Sequence, residues 1–189
     1  DQDGAIAIFQ EMSSRPTTIV SLNVALAYGI IFGHKIIVAD AIKAYVQTPL
    51  KSGVPTWIEM PKYLVPQWSH IDKPCCLLVK ALYGHPEAGA HWENHLTEII
   101  MKMGGKKVEN HPSVFWFAKE KFLLIVYVDD LLLAGPEEHH KQFWITLRKS
   151  VNTEDPEKID RFLGRHHDFE KFTPLKQDLV KWFEYPTKA

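Results

Sequence analysis

Cysteine is almost missing from this chain. Cys75 and Cys76 are its two thiols, and they are neighbours. Adjacent cysteines cannot staple distant segments and no CxxC pair occurs, so a disulfide framework or a zinc ribbon is excluded and reduced thiols of an intracellular protein are expected. An excess of one charge is missing too. The 22 Lys and Arg against 23 Asp and Glu leave a net charge of −1, so no global basic field marks a polynucleotide binder. No apolar run reaches the roughly 18 residues of a membrane span, and no membrane partner is expected. Neither a GxSxG motif nor a Gly-rich phosphate loop is present, which removes hydrolase and nucleotide-switch readings. The ten histidines form no HExxH pattern. His139-His140 and His166-His167 are vicinal, and the helix carrying His91 and His95 is expected to bury Trp92 and Leu96 instead, so zinc is not expected. The first residues, Asp1-Gln2-Asp3-Gly4, contain neither Met nor a signal-peptide pattern, and a longer parent is expected.

What is present is apolar material for a core. With 46% hydrophobic residues over 189 positions, one globular domain is expected. Pro16 and the stripe Leu22, Ala25 and Leu26 predict a helix over 17–28, ended by Gly29. The short β-branched run at 35–40 predicts a buried strand, and 56–60 a second, stopped by Pro61. The Pro- and aromatic-rich stretch 62–74 reads as irregular. Ala88, Trp92, Leu96, Ile99, Ile100 and Met103 keep helical spacing over 86–103, and Gly104-Gly105 ends that helix. Strands at 114–118 and 122–128, separated by Lys119-Glu120-Lys121, read as a hairpin, with a third strand at 131–134. A helix follows to about residue 149, with Phe143, Trp144 and Leu147 facing inward. Residues 154–156 form a turn, 162–164 begin a last strand, and Leu175, Leu179 and Trp182 suggest a tail helix. The fold class is α+β, an antiparallel sheet with helices packed on one face.

One polar interruption stands out. Asp129 and Asp130 fall inside the apolar stretch 122–133. Two adjacent carboxylates among aliphatic residues lose hydration and repel each other, so one should be protonated unless a cation compensates. Clustered Asp residues hold divalent metals that move phosphoryl groups. Asp is also a good turn residue, and the pair would sit at a hairpin tip. Asp40, which closes the 35–40 strand, reads singly as a cap for the following turn. Combined with the pair, it would supply three carboxylates from two strand ends, enough for two Mg²⁺ ions about 3.5–4 Å apart.

Val38-Ala39-Asp40 with Ala44-Tyr45, Thr56-Trp57-Ile58-Glu59-Met60-Pro61, Ala81-Leu82-Tyr83-Gly84 with Trp92, Tyr127-Val128-Asp129-Asp130 and Phe162-Leu163-Gly164 follow in order. Over about residues 15–165 these blocks resemble the reverse transcriptase domain of copia-type retrotransposon polyproteins. The resemblance implies a polymerase palm with partial fingers over 1–170, the sheet carrying the YVDD hairpin, and a tail over 171–189 leading toward a further region. It implies Asp40, Asp129 and Asp130 as metal-binding catalytic residues, Asp129 the more direct of the pair, with two Mg²⁺ ions or Mn²⁺ in their place. Tyr45 stands where the family carries the aromatic that blocks a ribose 2′-OH. Tyr83 and Gly84 match its template- and nucleotide-contacting turn, and Phe162, Leu163 and Gly164 its primer-grip strand. The implied partners are an RNA or DNA template-primer, dNTP, and flanking integrase and RNase H domains, in a cytoplasmic retrotransposon particle or the nucleus.

The chain departs from the family after Tyr83-Gly84. Leucine, lysine, glutamine, alanine and proline are usual there, against His85-Pro86-Glu87-Ala88-Gly89 here. Positive charge is thereby removed near the expected triphosphate. Lys35, Lys43, Lys51, Lys62, Lys80, Lys106 and Lys107 are scattered, whereas strong backbone binding needs several basic contacts. The alternative reading is therefore a catalytically inactive or co-opted fragment serving as a binding or scaffold module.

Overall fold

The computed structural model describes residues 16–64 and 66–167. The proposed tail helix lies outside them. The chain divides into two compact units, one built on 43–95 and one on 16–42 with 96–167.

The larger unit is organised by a six-stranded antiparallel sheet. Its strands in chain order are β1 (His34–Asp40), β4 (Lys106–Lys107), β5 (Val114–Phe117), β6 (Phe122–Tyr127), β7 (Asp130–Pro136) and β8 (Glu157–Lys158). In space the order is β4-β5-β6-β7-β1-β8. The first strand read from sequence thus lies between the last two, paired with β7 over seven residues. Long-range pairing of this kind leaves no local trace in the chain. Helix α1 (Ile19–Gly29) starts at Thr18, whose Oγ1 accepts the Ser21 N–H at 3.2 Å, and buries Leu22 and Ala25. Pro16 therefore precedes the cap instead of occupying the first turn.

The helices do not share one face of the sheet, contrary to the expectation. Leu22 and Ala25 of α1 pack with Ile36, Val38, Val114, Ile125, Leu132 and Ala134. On the opposite side, Phe143 of α3 (Glu137–Leu147) meets Phe117 and Phe122 edge-on at 5.2 and 5.6 Å. The cause is legible in the central strands, where Leu131 through Gly135 are all buried. A strand apolar at both parities must be covered on both faces. The predicted final strand is also corrected. Arg161–Phe162 and Arg165–His166 are two short strands, β9 and β10, and Leu163-Gly164 is the turn between them, with φ of 48° and 73°. Positive φ at both loop residues is the tight hairpin geometry, not the start of a strand.

In the smaller unit, β2 (Trp57–Glu59) pairs with β3 (Cys75–Leu77), the latter unannounced by the sequence. Two short 3₁₀ turns, Lys62–Leu64 and Pro66–Trp68, occupy the stretch read as irregular. Pro49 bridges to Lys80 and the Ala81 N–H donates to the Thr48 carbonyl at 2.9 Å. Helix α2 (Ala88–Lys102) begins in this unit, with Trp92 buried, and ends in the larger one, with Leu96 and Ile100 buried.

Candidate active site

The three carboxylates converge at one end of the β1–β7 pair. Asp40 and Asp130 are direct partners in the register, and Tyr127 pairs with Asp130 on the other side. Val128 and Asp129 form the two-residue loop between β6 and β7. Val128 has φ of 58°, at a position that hairpins ordinarily give to glycine. A β-branched residue there is strained, at a cost of about 1–3 kcal/mol, so the tip is held by its surroundings instead of by local preference. One restraint is visible: the Ala41 N–H donates to the Asp129 carbonyl at 2.8 Å. Another comes from a segment the sequence did not single out. The Glu154 N–H donates to the Asp40 carbonyl at 2.8 Å, and Thr153, buried, bridges to Ala41. Nothing periodic or motif-like marks 152–154, since it acts through backbone groups.

The carboxylates are less enclosed than their sequence neighbours suggested. Asp40 is exposed, and Asp129 and Asp130 are half-buried at the sheet end. The expectation that one carboxyl of the adjacent pair holds its proton is matched by a shift in that direction at Asp130. Burial, then the charge of Asp40, a hydrogen bond with Asp40 and the charge of Asp129 push the Asp130 carboxyl up from 3.8 to about 7. Among the described residues no group of three or more His, Cys, Asp or Glu is placed so that it could hold a metal ion. Mg²⁺ ordinarily takes one or two carboxylates and leaves its other positions to water and substrate phosphates. The donors are hard oxygens, and the charges of Asp40 and Asp129 that act on Asp130 are what a dication would offset, so the chemistry of these residues fits such an ion.

The raised Asp130 value fixes a sign. The folded state holds a proton that the unfolded chain releases, so this contribution is full below pH 3.8 and is lost as pH rises through about 7. Burial lowers His34 and His140, whose stabilisation is present above 6.5 and lost as pH falls. The interval from about pH 6.5 to 8 therefore isolates Asp130. Without metal, urea stability is expected to fall across it. Asp130→Asn should flatten that slope and raise stability at pH 8 by about 1–2 kcal/mol, after allowance for solvent screening. A wild-type slope retained in the variant would refute the coupling.

The second group of predicted residues lies in the smaller unit. The rings of Tyr45 and Tyr83 stack at 4.3 Å with an interplanar angle of 35°. Tyr45 stands in a 3₁₀ turn, Ala44–Gln47, and Tyr83 and Gly84 in a tight turn ahead of α2. Fold and pairing thus bring Asp40, Asp129 and Asp130 together, and separately Tyr45, Tyr83 and Gly84. Of the third group, Phe162 is taken up by the core at 3% exposure, while Gly164 is exposed at the hairpin tip.

The sequence model of the family described as "Reverse transcriptase (RNA-dependent DNA polymerase)" matches residues 7–173. Among curated proteins, the chain is similar to the "Putative transposon Ty5-1 protein" of Saccharomyces cerevisiae. The two are 29% identical over 90 residues, which cover 46% of this chain and 29% of that protein.

Proposed function

Because the chain belongs to the reverse transcriptase (RNA-dependent DNA polymerase) family, we propose that it is the fingers and palm of a copia-like retrotransposon polymerase. Its reaction is attack of a primer 3′-OH on the α-phosphate of a dNTP, with release of pyrophosphate. The observation that carries this reading is the opposition of Asp40 and Asp130 across one register pair, with Asp129 in the adjoining strained turn. Asp40 and Asp129, assisted by Asp130, would hold two Mg²⁺ ions, or Mn²⁺. When bound, these supply charge neutralisation and alignment of the attacking and leaving oxygens. The chain's own part is to present carboxylates from two paired strands on backbone fixed by the Ala41–Asp129 and Glu154–Asp40 hydrogen bonds. Asp130 holds a proton near neutrality and would release it to the solvent as cations arrive.

Tyr45 is the proposed sugar gate. Its stack against Tyr83 supports this role, because a braced ring rejects an added hydroxyl better than a mobile one. The template-primer is RNA or DNA, and the partners are flanking integrase and RNase H domains of a polyprotein working in a cytoplasmic particle or the nucleus. Mg²⁺-dependent primer extension on RNA and DNA templates tests the function. Within it, Tyr45→Ala should raise ribonucleotide over deoxyribonucleotide incorporation about tenfold or more. A constant ratio would make Tyr45 a packing residue. Binding of template-primer with no extension would favour the co-opted reading, which the His85–Gly89 departures support.

A further inference from the structure

We propose that His85 is a positioning residue, a neutral imidazole that clamps the Tyr83-Gly84 turn in one conformation. Its use in nucleotide binding rests on the polymerase reading, while the clamp is local geometry within the smaller unit. The turn is closed by the His85 N–H, which donates to the Leu82 carbonyl at 3.0 Å. Gly84, with φ of 93°, is its third residue, the place where a type II turn requires positive φ and therefore favours glycine.

The side chain of His85 then makes two hydrogen bonds of opposite polarity. The Glu87 N–H donates to Nδ1 at 3.2 Å, so Nδ1 carries no proton. Nε2, 3.1 Å from the Thr56 Oγ1, must carry the proton and donate it. The surroundings thus select one tautomer. Thr56 directly precedes β2, and Glu87 directly precedes α2, whose first N–H groups have no partner within the helix. The imidazole caps that helix start and ties it to the ribbon.

A second polar pair lies at the same helix start without a hydrogen bond between its members. Oε2 of Glu87, a buried residue, stands 3.6 Å from the His91 Nε2 one turn later, and neither atom has a hydrogen-bond partner. The departure of 85–89 from the family pattern is therefore structured: the His85 imidazole, bonded to Thr56 and to the Glu87 N–H, sets the turn. Its product is the presentation of Tyr83 against Tyr45. A leucine at 85 would make neither imidazole bond.

Nitrogen-15 NMR of the full chain should show His85 as the Nε2–H tautomer at neutral pH, and His85→Leu should shift the Tyr45 and Tyr83 ring resonances. His85→Leu is expected to weaken Mg²⁺–dNTP binding about tenfold, measured by calorimetric titration. Thr56→Val should weaken it in the same direction and add little in the double variant. His85→Asn, which keeps an acceptor near the Nδ1 position, should recover part of the affinity and guards against a merely unfolded leucine variant. An Nδ1–H tautomer or unmoved tyrosine resonances would overturn the clamp. Unchanged dNTP affinity in His85→Leu, with wild type binding normally, would overturn its role while leaving the polymerase reading intact. No dNTP binding by the wild type would overturn both.

Discussion

Asp129→Asn is expected to lower Mg²⁺-dependent primer extension by about 10³-fold or more. The substitution keeps size and leaves the Ala41 N–H its backbone acceptor, since that bond is made to the Asp129 carbonyl. What it removes is one negative charge at the tip of the β6–β7 hairpin. A carboxylate that neutralises a dication cannot be replaced by an amide, whose oxygen carries only a partial charge. Stability should change little, so urea unfolding of the same variant separates lost chemistry from lost fold. The assay is run on the full chain with an RNA and a DNA template-primer. Undiminished extension in Asp129→Asn would sink the metal assignment.

Gly135→Ala should destabilise the larger unit by about 3–5 kcal/mol. Gly135 has φ of 149°, and a Cβ there would stand 2.6 Å from the Phe122 Cδ1 and 2.7 Å from the Lys121 carbonyl oxygen. The ring could swing, but Phe122 is fully buried and packed against His140 and Phe143. The carbonyl belongs to the neighbouring backbone and cannot move without opening the sheet. Gly135 also offers its own carbonyl to the His140 Nε2, which donates at 3.1 Å. Strain, overlap and a disturbed buried hydrogen bond thus act at one residue. Equilibrium urea unfolding measures the loss, and a midpoint equal to wild type would show that the sheet relaxes freely there.

Much of the fold was legible because its signals are local. The apolar runs 35–40 and 122–133 appear as β1, β6 and β7, and the stripe over 86–103 as α2, each within a few residues. The two-residue strands β4 and β8 went unread, being too short to carry a period. One covered face was expected, whereas Leu131 to Gly135 are buried throughout and both faces of the sheet are covered. Phe162-Leu163-Gly164 was read as a strand because two apolar residues hide a turn that only the positive φ values reveal.

Asp40, Asp129, Asp130, Tyr45, Tyr83 and Gly84 could all be named from residue type and order. The sequence by itself determined which chemistry is available: three acids at strand ends, two tyrosines and a glycine turn. Tertiary structure alone decided which of them touch. It set Asp40 against Asp130 across strands some 90 positions apart, raised that carboxyl toward neutrality and seated Tyr45 on Tyr83. It also turned His85 from an apparent departure into a clamp with a defined tautomer. The physical reason is the same throughout. Residue identity and local pattern are written along the chain, whereas desolvation, mutual repulsion and hydrogen-bond polarity depend on neighbours that folding supplies.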